Sequence, residues 1–349
     1  MTGAGASAHP EVCTREADRS LATNGVEVHD VVMRRCMVAT ALLLTACGGA
    51  VEAADEGPDA AVDANAPIDA GVTAPMEGAS PLPSCALGAG AVPIDAPLGD
   101  ATAYGSFGFT DQLLVPGSET SGSFVGGFVA MPAPPVDPAC VVDLSASCML
   151  AMRRCPSSPT TLGPSLNAGA VEIRGPAFGA VTVDIDATGG YGYGPPANAA
   201  GSNALFAAGD TLCLTARGGP LAFPPLPIVA PSLPSLTAPA WAVGSTSYSS
   251  PPHVATNADL VLSWVPGAAG ERVSVALIGM LDGAGVECDF DATVGTGTIP
   301  QAGLGALSGE SEGGMIVAGY RRALYAVGSM QVSVQAVSQT SSGLPVAWQ

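Results

Sequence analysis

From residue 85 onward, apolar and polar residues alternate in short stretches that Gly, Pro and Ser separate. In "QVSVQAV" (331–337), Val332 and Val334 fall on one face of an extended chain and Ser333 falls on the other. Alternation over about four to eight residues between turn residues is typical of half-buried strands. The same pattern predicts strands over 104–110, 123–131, 169–175, 180–186, 210–216, 259–265, 272–279, 285–291, 314–320, 323–328 and 330–338.

These frequent short strands, without long helical periods between them, predict an all-β fold. We expect one or two antiparallel β-sandwich domains of immunoglobulin-like type. One short helix is predicted over 300–307, because the proline at its start favours a first helical turn. Trp264 alternates with Leu260 and Leu262 in a predicted strand, so we interpret it as a core residue and not as a ligand platform.

A proline-dense segment, 218–239, interrupts the predicted strands. Proline has no amide donor and is excluded from central strands, so we expect an extended crossing here and not a strand pair. A domain boundary near the end of this segment gives two domains. The first is a β-sandwich over 85–236 that carries a cysteine cluster, and the second is an immunoglobulin-like β-sandwich over 237–349.

The N-terminal region has the layout of an export signal. Arg34 and Arg35 precede an uncharged run that ends at Ala46, and this run is too short to cross a bilayer. A positive start, a short apolar core and small residues at the cut are typical of a signal peptide, which we place over 33–46. The polar, acidic leader over 1–32 is a poor signal start, and we exclude it from fold reasoning. Either Met33 is the true start or the leader is an unusually long n-region.

The segment 47–84 is rich in Ala, Asp, Pro and Gly and lacks aromatic residues. Such a composition cannot bury enough surface to offset the entropy of ordering, so we predict a disordered tether. As a flexible coil it would span roughly 30–40 Å. We expect it to hold a folded head away from a membrane surface.

Charge excludes one class of partner. The chain has 11 Lys+Arg against 30 Asp+Glu, and every basic residue is Arg. Nucleic-acid binding requires clustered basic residues, which are absent from the sequence after Cys47. The hydrophobic content of 48% and the charged content of 12% favour a packed core over disorder for most of the chain.

Six cysteines follow Cys47, and an exported chain reaches an oxidising compartment, so an even number indicates disulfides. Fifteen pairings are possible and the sequence does not choose among them. Cys140, Cys148 and Cys155 are close in sequence, and we expect two of them to pair and the third to bond to a more distant cysteine. A metal site is the rival interpretation, but the Cys-x-x-Cys spacing is absent and His253 is isolated. The six candidates are Cys85, Cys140, Cys148, Cys155, Cys213 and Cys288.

Two resemblances support export. The sequence Leu-Thr-Ala-Cys at 44–47 resembles the lipobox of bacterial lipoproteins, which implies cleavage between Ala46 and Cys47 and a lipid on the Cys47 sulfur. The stretches "LFAAGDTLCLTARGG", "DLVLSWVPG" and "VECDFDATVGTGTIPQAGLGAL" resemble a β-rich ectodomain of myxobacterial-type lipoproteins. These motifs are structural and imply no activity. By analogy with enteric lipoproteins, Gly48 in place of Asp favours the outer membrane.

Catalytic signals are weak. The sequence has no G-x-S-x-G elbow and no H-E-x-x-H motif, and His253 is expected in a loop. The carboxylate pairs Asp184/Asp186 and Asp289/Asp291 could each share a strand face. Asp184, Asp186 and Thr188 imitate the first half of a calcium loop, but the twelfth position is a proline, and we interpret the pair as hydrogen-bonded turn aspartates. No metal or other cofactor is predicted.

Three classes of function remain. The first is a non-catalytic binding or structural module, anchored to the membrane by its lipid, that takes a glycan or a protein as its ligand. The second is a hydrolase with an unrecognised site. The third is an assembly subunit whose partner completes a sheet.

Overall fold

The computed structural model describes residues 85–113, 120–130, 141–151, 165–186, 189–195, 203–242, 252–279, 285–309, 311–340 and 344–349. Contacts divide the chain into Met1–Ala46 and Cys47–Gln349, and every described residue lies in the second unit. The predicted leader (1–32), signal peptide (33–46) and tether (47–84) lie outside the described residues.

The described residues are almost entirely strands. One short helix, α1 (Gln301–Gly305), and two 3-10 turns, Ala240–Ala242 and Ala292–Val294, complete the regular structure. The strands are β1 (Ala91–Ile94), β2 (Ala103–Leu113), β3 (Thr120–Ala130), β4 (Val141–Asp143), β5 (Cys148–Ala151), β6 (Ser165–Leu166), β7 (Gly169–Gly175), β8 (Gly179–Val183), β9 (Gly190–Tyr193), β10 (Thr211–Gly218), β11 (Phe223–Val229), β12 (Leu236–Ala238), β13 (His253–Val254), β14 (Leu260–Trp264), β15 (Arg272–Gly279), β16 (Gly285–Asp291), β17 (Thr296–Ile299), β18 (Glu312–Val327), β19 (Met330–Thr340) and β20 (Leu344–Trp348).

One large sheet organises the described chain. Its main path runs β4-β5-β16-β15-β18-β19-β2-β3-β6, and β1, β9, β13 and β20 join it at the sides. Most neighbours are antiparallel, but β2 and β19 pair in parallel along their whole length, from Ala103 opposite Met330 to Leu113 opposite Thr340. β13 and β20 form a second parallel pair. The sheet is therefore mixed, where the sequence predicted antiparallel pairing throughout.

Two smaller sheets cover one face of the large sheet and enclose two cores. The sheet β11-β10-β7-β8 covers the first core, in which Phe107 and Phe124 pack against residues such as Ile173. The sheet β12-β14-β17 covers the second core, in which Leu262 meets residues such as Val275. These layers are sheet-on-sheet sandwiches. The predicted all-β sandwich fold is confirmed.

The predicted domain boundary between 236 and 237 does not divide the large sheet. β1 and β2 come before this position and pair with β18 and β19, which come after it. The first core also takes Tyr325 and Val332 from the C-terminal part of the chain. Local alternation reveals which residues face a core, but it does not reveal which strands meet. The two cores therefore share one sheet, to which strands on both sides of position 236 contribute.

The proline-dense segment forms a strand, contrary to prediction. β11 has the sequence "FPPLPIV" and pairs antiparallel with β10, placing Pro227 opposite Cys213 and Leu226 opposite Leu214. β11 lies at the edge of its sheet, where a strand needs amide donors on one side only. Proline is therefore compatible with this position, and the exclusion that guided the prediction holds only for central strands.

Two local predictions are confirmed. α1 begins after Pro300, within the predicted range of 300–307. Trp264 is 3% exposed in the second core, and its indole N–H donates a hydrogen bond to the carbonyl oxygen of Ala292 at 2.9 Å. Among the described residues, no helix has the length and apolar content that a membrane crossing requires.

The two faces of the large sheet predict effects of different size when a methyl group is added. A Cβ on Gly126 would lie 2.1 Å from a ring carbon of Phe107, while a Cβ on Gly108 would meet nothing within 4 Å. We expect Gly126→Ala to lower the free energy of unfolding by about 1–3 kcal/mol through overpacking. The control Gly108→Ala, on the adjacent strand, should change it by less than about 0.5 kcal/mol. Urea denaturation measures both, and equal effects would contradict the packing described here.

Candidate functional site

Two disulfides tie together segments that are distant in sequence. Cys85 bonds to Cys213 in β10, and Cys148 in β5 bonds to Cys288 in β16. Cys148, a member of the close group at 140–155, thus has a partner that is distant in sequence. Cys140 and Cys155 lie outside the described residues, as do Ala46 and Cys47. The pairing could not be read from the sequence because the partners are 128 and 140 positions apart.

The weak calcium candidate is a hydrogen-bonded turn. The amide of Asp186 donates to the carbonyl oxygen of Gly190 at 2.7 Å, and Asp186 Oδ1 accepts from the Gly190 amide at 3.0 Å. Thr188 lies outside the described residues, and Asp184 has no role in these bonds. Within the described ranges, no group of three or more His, Cys, Asp or Glu side chains could hold a metal ion.

The second carboxylate pair is also engaged locally. Arg272 forms a bidentate ion pair with Asp289, in which Nε donates to Oδ1 at 3.0 Å and Nη2 donates to Oδ2 at 2.8 Å. Asp291 caps a 3-10 turn by accepting from the amide and hydroxyl of Thr293, and these hydrogen bonds lower the pKa of its carboxyl group. The two carboxylates therefore serve different partners and do not converge on a common point.

His253 is exposed, as expected, but it does not lie in a loop. It begins the two-residue strand β13, opposite Ala347 of β20 in the large sheet. None of the hydrogen bonds or ion pairs between described residues joins this histidine to either carboxylate pair.

A cavity of about 240 Å³ lies beside Trp264 and Glu271. Glu271 is 7% exposed, and its Oε2 accepts from Ser232 Oγ at 3.2 Å and from the Ala268 amide at 3.1 Å. Its other oxygen lies 3.5 Å from Nη2 of Arg321. Because a cation and two donors already serve this carboxylate, the cavity has no unbalanced charge with which to attract a ligand.

A second cavity, of about 210 Å³, lies beside Asp111 near the end of β2. Asp111 is 5% exposed, and its two oxygens accept from the amides of Leu205 at 2.7 Å and Phe206 at 3.1 Å. Burial raises the pKa of this carboxyl group to about 6, against the lowering effect of the two amides. The group is therefore ionised at pH 7.5, and no cation in the described part of the chain forms an ion pair with it.

The sequence around Asp111 contains a signal that could have identified it: a charged residue at a core-facing position of an alternating strand. Phe107 and Phe109 alternate with polar residues, and Asp111 occupies the next position on the same, core-facing side. A charged residue at a core-facing position calls for a partner. The partner amides come from residues 94 and 95 positions away, which no local pattern could supply.

Glu287 is another unusual carboxylate. It is half-buried on the face of β16 opposite the second core, between Ala276 of β15 and Met149 of β5. Desolvation raises the pKa of its carboxyl group to about 7. No partner for it is found among the residues that the structure describes.

The comparisons with known proteins are distant. No protein-family model and no curated protein matches the chain. A segment of two fibronectin type III domains from chicken tenascin is similar at 13% identity and a TM-score of 0.15, covering 56% of this chain and 94% of that one. A tetra-tandem repeat in the extending region of a large adhesion protein is similar at 11% identity and a TM-score of 0.15, covering 68% of this chain and 50% of that one. Likeness at this level carries no argument about function, and the fold rests on its own strand pairing.

The raised pKa of Glu287 predicts that this residue contributes more to the free energy of unfolding at acidic pH than at alkaline pH. An acid whose pKa is higher in the folded state binds more protons when folded, so the free energy of unfolding falls as pH rises between the two pKa values. For Glu287 this window runs from 4.5 to about 7. Glu287→Gln should remove about 1–2 kcal/mol of the pH dependence, less than the whole shift because the side chain is partly exposed.

Urea denaturation at pH 5 and pH 8 measures this effect, with Glu312→Gln, an exposed glutamate, as the control. Asp111 titrates in the same direction and remains in both variants, so the pH dependence should shrink and not vanish. An unchanged pH dependence in Glu287→Gln would show that Glu287 is not desolvated.

Proposed function

We propose that this chain is an exported, lipid-anchored protein of the cell envelope whose β-sandwich head is a non-catalytic binding or structural module. The observation that carries the proposal is the disulfide between Cys85 and Cys213. Disulfides persist in oxidising compartments and are rare in the cytosol. The second disulfide, between Cys148 and Cys288, supports the same compartment.

The position of Cys85 supports the anchor. In the sequence, Cys85 directly follows the segment 47–84, which is predicted to be a tether. Its bond to Cys213 fixes the start of the head to β10, which lies between β7 and β11 in its sheet. A lipid on Cys47 would thus hold the head through a tether whose far end is covalently fixed.

The arrangement of polar groups supports a non-catalytic role. The carboxylates that could have formed a paired acid and base serve Arg272 and Thr293 separately. His253 lies on a different strand, β13. A glycan or a protein remains the ligand class that the sequence suggests, and the outer membrane is the proposed location because residue 48 is Gly.

The lipid anchor is tested by the mass of the N-terminal peptide from the full chain expressed in a Gram-negative host. We expect the wild type to begin at Cys47 with an added lipid mass and to fractionate with membranes. Cys47→Ser should lose both cleavage and membrane association. The matched control Cys36→Ser changes a cysteine in the apolar run outside the lipobox and should behave as the wild type.

Retention of residues 1–46 without lipid would contradict the anchor, as would membrane association of Cys47→Ser that matches the wild type. The membrane assignment has its own test in an enteric host. Gly48→Asp should move the protein from the outer to the inner membrane fraction on a density gradient. An unchanged distribution would contradict the outer-membrane assignment and leave the anchor itself standing.

A further inference from the structure

We propose that the cavity beside Asp111 binds a small molecule through a primary ammonium group. This inference goes beyond the function proposed above, because it assigns to this cavity a small-molecule ligand that is neither a glycan nor a protein, and it does not depend on the lipid anchor. It is carried by a buried carboxylate without a described counter-ion, by further acceptors at the same cavity, and by apolar walls of matching size.

The first argument is the charge of Asp111. Buried charges are normally paired, because removing a charge from water is costly unless an opposite charge compensates it. Asp111 has two backbone amides as partners, and these use two of the roughly four lone-pair directions of a carboxylate. The remaining directions are free for a cation that enters the cavity.

The second argument is the set of neighbouring acceptors. Ser338 stands opposite Asp111 in the register between β2 and β19, and Thr120 stands opposite Leu113 in the register between β2 and β3. Both side chains line the cavity together with Asp111. An ammonium group donates three hydrogen bonds, so one carboxylate and two hydroxyls match its needs.

A buried hydroxyl lies at the same end of the large sheet, next to two residues that line the cavity. Thr340 follows Ser338 on the same side of β19, opposite Leu113. Its Oγ1 is buried, and none of the residues that the structure describes forms a hydrogen bond with it. An unpartnered buried hydroxyl at this end of the sheet is the kind of group that a bound donor satisfies.

The third argument is the shape and character of the remaining walls. They are apolar and come from Leu113, Phe206, Pro231 and Leu233. A volume of about 210 Å³ corresponds to about seven water-sized atoms, which fits a short alkylammonium and excludes a drug-sized ligand. The net charge of −19 raises the local concentration of cations and not of anions.

The carboxylate is held in place before any ligand arrives. Gly122 lies opposite Asp111 on β3, and a Cβ there would be 2.4 Å from the carbonyl oxygen of Asn203 and 3.0 Å from Asp111 Oδ1. The absence of a side chain at Gly122 lets the segment with Leu205 and Phe206 approach β2 closely. The site is therefore preorganised, which reduces the entropy lost on binding.

The test uses n-butylammonium chloride as the probe and n-butanol as its neutral match, with the full chain in its oxidised state. We expect saturable shifts of the Leu205 and Phe206 amide resonances with n-butylammonium, and at least tenfold weaker binding of n-butanol. Asp111→Asn should weaken n-butylammonium binding at least tenfold. The control Asp210→Asn should bind as the wild type, because that exposed loop carboxylate serves the Ala207 amide at 2.8 Å outside the cavity.

Equal binding of the two probes by the wild type, or no binding of either, would overturn the proposal, and this comparison needs no variant if Asp111→Asn fails to fold. Unchanged affinity in a folded Asp111→Asn would also overturn it. Tighter binding of Nα-acetyl-lysine methylamide than of n-butylammonium would overturn the assignment to a free small amine in favour of a lysine side chain on a partner protein. None of these outcomes alters the result of the Cys47→Ser experiment, so failure of the amine site and failure of the anchor are distinguishable.

Discussion

The parallel pairing of β2 with β19 is the contact on which the rest of the fold depends. It joins Ala103–Leu113 to Met330–Thr340 without a break, and the hydroxyls of Thr102 and Ser329, 227 positions apart, meet at 2.9 Å just beyond it. Without this pair, β2 and β3 would lose their connection to β18, and the inner faces of the two cores would no longer lie on one sheet. A contact between such distant segments carries a cost in loop-closure entropy, and the first core is complete only when the C-terminal strands have joined it.

The sequence was a good guide to strands and a poor guide to their partners. Alternation locates strands because successive side chains point to opposite faces, and β15 and β16 match the predicted ranges. The predicted ranges 314–320 and 323–328 merge into the single strand β18, because the residues between them continue the pairing with β19. Parallel pairing and the strand at β11 were not predicted, because local pattern contains no information on position within a sheet.

The candidate site shows the same limit at the level of single residues. The position of Asp111 on a core-facing side is visible in the sequence, but the amides that hold it and the hydroxyl of Ser338 come from other parts of the chain. The carboxylate pairs that the sequence offered as candidates, at 184–186 and 289–291, form hydrogen bonds within turns and an ion pair with one arginine. The local motifs thus identified carboxylates that form hydrogen bonds with nearby residues. Asp111, the carboxylate that lines a cavity, belongs to no such motif.

The disulfide between Cys85 and Cys213 also determines how the head responds to mechanical load. Tension applied upstream of Cys85 passes through the sulfur atoms directly into β10, so the loop that separates the two cysteines by 128 positions is shielded from extension. β10 is held along its length by β7 on one side and β11 on the other. Pulling on the N-terminal end therefore loads a strand that is hydrogen-bonded on both sides and not an edge strand.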